Sequence, residues 1–244
     1  MSTEAHAFEA TEPRPEALDG LDLFALGRQA AAARDARVGR RGSFVRARQL
    51  LATGAWRGPR DAAETFVDEA DLEALGGCAA VRAAGVGLCV AAADSAQARA
   101  AAQAGLRVLL RLPYRAGENE RVRLERLAAL AELPFAAWGA MPAPVGEPYG
   151  LDTLRLFALC RLALPRVAHL LADVGALGPR LAQMAFGFGA DELFAPIVAE
   201  RALRLGANAH NPSLTRKEAA TLIRGAGLLA CERLADGVIE EVTP

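Results

Sequence analysis

The chain has 244 residues, a formal net charge of −1, 52% hydrophobic residues and 23% charged residues. That length suits one α/β domain with a sizeable core, and the near-neutral charge excludes a general attraction to nucleic acid or to a membrane surface. No apolar run could cross a bilayer, and residues 1–20 lack the basic start and apolar segment of a signal peptide. We therefore expect a cytoplasmic protein that binds neither nucleic acid nor membranes.

The predicted elements begin behind a polar segment. Residues 1–18 contain prolines and show no periodicity, so they are predicted to be a disordered tail ahead of a domain over 19–244. The domain opens with a predicted helix over 21–36 and a short strand over 43–48. The runs GVGLCVAAAD and SAQARAAAQAG then predict a buried strand and the helix after it.

Strands and helices keep alternating towards the C-terminus. LRVLLRLPY, PFAAWGAMP and RVAHLLADV predict strands, and residues 119–133, LDTLRLFALCRLAL and LGPRLAQMAFG predict the helices after them. FGAD is predicted to end a short strand, helices are predicted over 194–204 and 215–224, and ACERLADGVIEEV is predicted to add a terminal strand. Thr215 and Glu218 have the spacing of a capping box at the start of the last helix.

This alternation predicts an α/β fold with a parallel sheet and right-handed crossovers. The architecture that fits is a partial or complete TIM-like β/α barrel with an N-terminal helical extension. A full eight-unit barrel takes about 250 residues, so the N-terminal half of the barrel is predicted to be abbreviated. Ligands of such barrels gather at the C-terminal ends of the strands.

Cysteines and charges give weaker signals. The four cysteines stand singly in apolar runs without metal-site spacing, and we interpret them as core residues: Cys78, Cys89, Cys160 and Cys231. Nine arginines between residues 28 and 60 precede six acidic residues between 61 and 73. Either the two blocks pair with each other or lie on solvated faces, or the basic block binds an anion or a partner.

Four segments together carry a resemblance to known enzymes. They are LGRQAAAARDARVGRRGSFVRARQL, GLRVLLRLPYRAGENERVRLERLAALAEL, ANAHNPSLTRKEAATLIRGAGLLACERL and, above all, residues 149–193, which begin YGLDTLRLFALC and end FGFGADEL. They resemble the radical S-adenosylmethionine (SAM) enzymes of futalosine-dependent menaquinone biosynthesis, which are aminofutalosine synthase, dehypoxanthine futalosine cyclase and FO synthase-like enzymes. The resemblance implies a β/α barrel and a role linked to that pathway.

The chain departs from this family where the family carries out its chemistry. The family holds a [4Fe–4S] cluster on a Cys-x3-Cys-x2-Cys loop after the first strand, whereas LATGAWRGPRDAAETF stands here and no cysteine precedes Cys78. The family's Tyr-Gly-His-x-Glu-Thr turn corresponds to residues 114–119, which keep Tyr114 and Glu118 but lose the histidine. Phe194 replaces small residues, which argues against retained substrate binding. We therefore expect no cluster, no other cofactor and no SAM binding.

Six residues match positions of the family's pattern and are the candidate ligand-binding residues: Glu118, Arg161, His169, Gln183, Gly189 and Asp191. No catalytic residue and no metal ligand is assigned. A structural interpretation stands beside the functional one, because His169 lies in an apolar strand and Arg161 and Gln183 lie on helices. Gly187 and Gly189 either cradle a phosphate or form a turn.

Two functional hypotheses follow from the resemblance and its departures. In the first, the chain is a pseudoenzyme, a non-catalytic binding or accessory subunit whose partner is a cluster-bearing radical SAM homologue. In the second, it is a cluster-independent enzyme that binds a nucleoside or small anionic ligand at the barrel mouth. Glu118, Asp191 and nearby arginines would then provide acid–base or binding groups. An eroded gene product with little function is a third interpretation.

Overall fold

The structure is a computed structural model that describes most of the chain from residue 18 onward. The described residues are 18, 20–46, 48–51, 64–68, 71–85, 87–90, 96–133, 137–198, 213–234 and 239–243. The predicted tail therefore lies outside the described residues, apart from Leu18, which is buried. Most of the helix predicted over 194–204 also lies outside them.

Helices and parallel strands alternate through the described part. The helices are α1 (Leu23–Val38), α2 (Gly77–Ala83), α3 (Ala96–Gln103), α4 (Glu120–Ala131), α5 (Gly150–Ala163), α6 (Val174–Leu177), α7 (Pro179–Ala185) and α8 (Arg216–Gly225), with a 3-10 turn at Phe186–Phe188. The strands are β1 (Arg41–Phe44), β2 (Arg48–Leu51), β3 (Glu64–Asp68), β4 (Gly87–Val90), β5 (Val108–Tyr114), β6 (Gly139–Pro144), β7 (His169–Asp173), β8 (Glu192–Phe194), β9 (Ile197–Val198), β10 (Leu214–Thr215), β11 (Leu229–Arg233) and β12 (Ile239–Glu241). None of the described helices has the length and apolar character that a membrane span requires.

Side-chain caps fix where the helices begin. The Asp22 carboxylate accepts hydrogen bonds from the backbone N–H groups of Phe24 and Ala25, at 3.0 and 2.9 Å, and so caps α1. Thr215 and Glu218 form the predicted capping box of α8, in which each side chain binds the other residue's backbone N–H. These caps confirm the start of the first and last predicted helices to within two residues.

Ten strands form one sheet in the order β12-β11-β1-β8-β7-β6-β5-β4-β3-β2. All neighbouring pairs are parallel except β11 and β12. The prediction of an α/β fold with a parallel sheet is therefore confirmed. The terminal segment predicted as one strand supplies two, because β11 enters the sheet beside β1 and β12 turns back along its edge.

The sheet curves like the wall of a barrel. A flat sheet would hold β2 and β1 about 34 Å apart, since seven spacings of roughly 4.8 Å separate them. Only residues 45–47 join β1 to β2, and a connection of that length spans at most about 14 Å. The sheet must therefore bend until β2 returns towards β1. Among the described strands β2 pairs with β3 alone, so the described hydrogen bonds do not close the ring.

Strand alternation sorts the apolar side chains into two cores. On β5, Leu110 and Leu112 belong to the large core that contains the buried helix residues, whereas Leu109 belongs to a second cluster. That second cluster takes one residue from each of five strands: Phe66, Leu109, Met141, Leu171 and Phe194. No described helix contributes to it, so it fills the concave side of the sheet, here called the inner face.

Two sequence predictions need correction. FGAD does not end a strand, because Phe186–Phe188 forms a 3-10 turn and the strand β8 begins at Glu192. The helix predicted from residue 194 is wrong at its start, because Phe194 completes β8 and Ile197 pairs with Leu214 in a two-stranded sheet. The apolar run around Phe194 is short, so its periodicity fits a buried strand as well as a helix.

The cysteine interpretation holds where the side chains are described, and one described residue of each charge block pairs with a residue outside both blocks. Cys160 and Cys231 are buried, and Cys78 is partly buried. Arg46 of the basic block pairs with Glu232 of β11 at 2.8 Å. Asp68 of the acidic block lies 3.9 Å from Arg111 of β5.

Candidate functional site at the carboxyl edge of the barrel

Three charged side chains stand on the inner face near the carboxyl ends of the strands. Asp68, Arg111 and Asp173 each lie two positions beyond a residue of the inner cluster, on β3, β5 and β7. Residues two apart on a strand share a face, so all three point to the concave side. We call these three residues, together with Met141, Leu171 and Phe194 of the inner cluster, the barrel mouth. Ligands of β/α barrels bind at this edge.

Arg111 and Asp68 are close but not hydrogen-bonded. The Arg111 Nη1 atom lies 3.9 Å from the Asp68 Oδ2 atom, and the two side chains are 33% and 26% exposed. A separation of that length is an electrostatic contact rather than a hydrogen bond. Arg111 therefore carries a partly buried positive charge on the inner face of β5.

Asp173 is the second polar group of the mouth and also caps α6. Its Oδ1 atom accepts hydrogen bonds from the backbone N–H groups of Gly175, at 2.8 Å, and Ala176, at 3.4 Å. Burial raises the pKa of the Asp173 carboxyl above its ordinary value, although the two backbone N–H groups and the charge of Arg111 act in the opposite direction. A carboxyl group with a raised pKa is suited to accept or release a proton.

An apolar floor closes the mouth from below. Met141, Leu171 and Phe194 are at most 9% exposed and pack together on the inner face. Asp173 and Phe194 are paired in register on β7 and β8, so the carboxyl stands directly beside this floor. Small-molecule sites combine an apolar lining with a few well-placed polar groups, and the barrel mouth has that character.

A buried ion pair lies next to this floor, because Glu192 of β8 is in register with Leu171 of β7. Arg233 donates two hydrogen bonds to the Glu192 carboxylate, at 2.9 and 3.0 Å, and Ser43 donates a third at 2.9 Å. The Arg233 guanidinium also lies 5.1 Å from the centre of the Trp138 ring. Because these groups satisfy one another, we interpret them as a structural pair.

Four of the six predicted site residues come together, but at the opposite end of the barrel. Arg161 donates hydrogen bonds to the carboxylate of Asp191 and, at 2.8 Å, to the carbonyl oxygen of Gly189. The His169 Nδ1 atom lies 2.8 Å from the other carboxylate oxygen of Asp191. His169 is the first residue of β7 and Asp191 precedes β8, so this cluster lies at the amino edge of the sheet. Ligand sites of β/α barrels gather at the other, carboxyl edge.

The His169 ring responds to two neighbouring carboxylates. Burial alone would lower the pKa of the imidazole, but the hydrogen bond to Asp191 and the negative charge of Glu192 outweigh it, so the pKa is raised above its ordinary value. The folded protein therefore binds a proton on this ring more tightly than the unfolded chain does.

The remaining two predicted residues lie elsewhere. Glu118 accepts hydrogen bonds from Arg123, at 3.4 Å, and Arg126, at 2.7 Å, at the start of α4. Gln183 lies on α7 against α8, so close that a methyl group placed on Gly225 would stand 2.2 Å from the Gln183 amide nitrogen. The structure thus does not bring Glu118 and Asp191 together. A ligand-binding role for the six residues stays a prediction.

Sequence reasoning missed Arg111 and Asp173, although a signal for both was present. Arg111 interrupts the otherwise apolar strand LRVLLRLPY, and Asp173 stands at the end of the strand RVAHLLADV. A charged residue late in a buried strand lies at the carboxyl edge of the sheet, where sites gather. Only the two-residue alternation with Leu109 and Leu171 shows that both side chains point inward.

Cys160 and Cys231 are buried and lie in different elements of the fold. Thiolates bind iron–sulfur clusters, but burial raises the pKa of the Cys160 thiol to about 12, and burial also raises that of Cys231. Cys160 lies in α5 within the large core and Cys231 lies in β11. Over the described ranges, no three His, Cys, Asp or Glu side chains gather as a metal site.

Comparison with known proteins finds similarity both in sequence and in structure. Aminodeoxyfutalosine synthase of Thermus thermophilus is 32% identical to this chain over 93 residues, which are 38% of this chain and 24% of that enzyme. The matched region thus spans about a quarter of the relative. Methylornithine synthase has a similar fold, with a TM-score of 0.59 and 10% identity over 88% of this chain and 92% of that protein. No protein-family profile matches the chain.

Proposed function

We propose that this chain is a relative of the radical SAM enzymes of the futalosine pathway that works without an iron–sulfur cluster. In that role it is a non-catalytic binding or accessory subunit linked to menaquinone biosynthesis, and its partner is a cluster-bearing homologue. The partial identity with aminodeoxyfutalosine synthase and the fold shared with methylornithine synthase support the ancestry. The cytoplasmic location expected from the sequence stays a prediction.

One observation carries the proposal. The chain that follows β1 and β2 contains no cysteine before Cys78, at the place where the resembled enzymes hold their cluster. The cysteines farther along do not replace that loop, because Cys160 and Cys231 are buried in different elements with raised thiol pKa values. Without a cluster there is no electron donor for the reductive cleavage of SAM.

Anaerobic reconstitution tests the absence of a cluster. The purified chain is incubated with iron, sulfide and reductant, desalted and assayed for iron per chain and for the visible absorption of a cluster. We expect no stoichiometric iron, while aminodeoxyfutalosine synthase of Thermus thermophilus, treated in parallel, is the positive control. About four irons per chain with a cluster spectrum would overturn the proposal.

The accessory role needs a separate measurement with a defined partner. The purified chain is mixed with the cluster-bearing aminodeoxyfutalosine synthase of its own organism, and complex formation is followed by sedimentation velocity. We expect a stoichiometric complex and a change in the synthase's turnover. Independent sedimentation of the two proteins at micromolar concentrations, with unchanged turnover, would contradict this role.

The barrel mouth supports a second candidate function. Arg111 and Asp173 over an apolar floor are the groups that a cluster-independent enzyme or binding protein for a nucleoside or small anionic ligand would use. A thermal-shift screen with SAM, nucleosides and futalosine analogues tests this candidate directly. A concentration-dependent rise in melting temperature with one class supports it, and the absence of any shift counts against it.

A further inference from the structure

Arg111 differs from the other arginines that lie inside the fold. The buried arginines and the partly buried Arg155 each donate at least two hydrogen bonds to protein oxygen atoms: Arg34, Arg123, Arg155, Arg161 and Arg233. The contact of Arg111 is the ion pair with Asp68 at 3.9 Å, and within the described part of the chain its guanidinium makes no shorter one. A partly buried guanidinium normally satisfies its donors, because leaving them unpaired away from water is costly.

The position of Arg111 directs its donors towards a ligand rather than towards bulk solvent. The residue follows Leu109 on the inner face of β5, and its side chain is one third exposed. It therefore reaches the mouth while its aliphatic stem lies against the inner cluster. Fixed N–H donors in such a setting match the two oxygen atoms of a carboxylate or phosphate.

Asp173 supplies the complementary group on the same floor. Its Oδ1 atom is occupied by the backbone N–H groups of Gly175 and Ala176, and within the described part no donor binds its Oδ2 atom. Its carboxyl faces Arg111 across β6, since β5 and β7 are the two neighbours of that strand. The two side chains start from strands two spacings, roughly 10 Å, apart, which one small molecule can bridge.

We propose that Arg111 anchors the carboxylate or phosphate group of a small ligand in the barrel mouth, and that Asp173 Oδ2 accepts a hydrogen bond from a hydroxyl or amino group of the same ligand. This inference rests on the second candidate function and names its substrate class, which is small oxyanions that also carry hydrogen-bond donors. Met141, Leu171 and Phe194 contact the ligand's carbon skeleton from below. The accessory role does not depend on it.

Calorimetric titration of the full chain tests the anchor with two probes, ribose 5-phosphate for a phosphate and tartrate for a carboxylate. We expect at least one probe to bind, and Arg111→Gln to weaken that binding roughly 10- to 100-fold because a charge-assisted pair of hydrogen bonds is lost. Arg111→Lys keeps the charge but not the paired hydrogen-bond geometry. Its affinity for the probe is therefore expected to lie between those of wild type and Arg111→Gln. Preference for one probe identifies the anion.

Arg121→Gln is the matched control, because Arg121 lies on the surface of α4 in an exposed pair with Glu125. It should leave the binding of both probes unchanged. Since Arg111 makes no short hydrogen bond to the protein, Arg111→Gln should fold normally, which circular dichroism and the melting temperature verify. Equal affinity in wild type and Arg111→Gln overturns the anchor, as does the failure of wild type to bind either probe. Neither result affects the iron and sedimentation measurements of the proposed accessory role.

Discussion

Arg161 and Asp191 form an ion pair in which both side chains are only 2% exposed. Arg161 comes from α5 and Asp191 from the residue before β8, so the pair joins a helix to the amino edge of the sheet. The Asp191 carboxylate also accepts a hydrogen bond from the backbone N–H of Leu170 at 2.6 Å and contacts His169. One carboxylate thus fixes a helix, two strands and an imidazole ring.

We expect Asp191→Ala to destabilise the protein by about 3–5 kcal/mol, because it leaves the buried Arg161 charge without a partner. Replacing both residues by apolar ones, Arg161→Met with Asp191→Leu, should recover much of that loss. Urea unfolding of Arg161→Met, Asp191→Leu and the double variant measures the coupling. The exposed pair of Arg121 and Glu125 is the control, and its removal should cost about 0.5 kcal/mol or less. Equal losses for the buried and exposed pairs would contradict this account.

His169 should make stability depend on pH. The Asp191 and Glu192 carboxylates raise its pKa in the folded state above the ordinary value of 6.5, against the effect of burial. The folded state therefore binds the proton more tightly than the unfolded state, and this stabilisation is complete below pH 6.5 and lost as the pH rises through the folded pKa. We expect His169→Gln to flatten the fall in unfolding free energy across that window. An NMR titration of the ring gives the folded pKa, and a value below 6.5 would refute the prediction.

Among the predicted site residues, Gly189 has a backbone conformation that favours glycine. Its φ of +97° lies in the region that favours glycine, and an added methyl group would stand 2.7 Å from the Arg161 Cβ atom. We expect Gly189→Ala to cost about 3 kcal/mol through strain and overlap, measured by urea unfolding. Gly187→Ala is the control, because nothing lies within 4 Å of a methyl group there. A similar loss of unfolding free energy for both substitutions would contradict the prediction, because it would show that neighbouring atoms move to make room for a methyl group at position 189.

The sequence was sufficient for the fold but not for the location of the site. Periodicity and caps predicted α4, α5 and α8 and the strands β5 and β7, because long amphipathic or apolar segments carry strong local signals. Matching residues to a family pattern selected His169 and Asp191, which do meet. They meet at the amino edge, however, because their position depends on strand registers that no local signal encodes.

The barrel mouth was missed for a related reason. Whether Arg111 and Asp173 point inward depends on which alternating residues of β5 and β7 face the helices, and a strand buried on both faces is apolar on both. The direction becomes clear only when Leu109 and Leu171 are seen in one cluster with Phe194. The local sign of the barrel mouth in the sequence was a charged residue near the end of a buried strand.

The last prediction concerns the charge of Asp173. Burial raises the pKa of its carboxyl in the folded state, so the protein is stabilised by this group below the ordinary carboxyl pKa and loses that contribution as the pH rises through the folded value. Asp173→Asn removes the charge and keeps an oxygen to cap α6, so we expect stability at pH 7 equal to or above that of wild type. Asp173→Ala also loses the cap and should cost about 1 kcal/mol. Thermal and urea unfolding between pH 4 and pH 7 separates the two effects. If the asparagine variant is as unstable as the alanine variant, the attraction of Arg111 for the ionised carboxylate outweighs burial, and the mouth holds a charged Asp173.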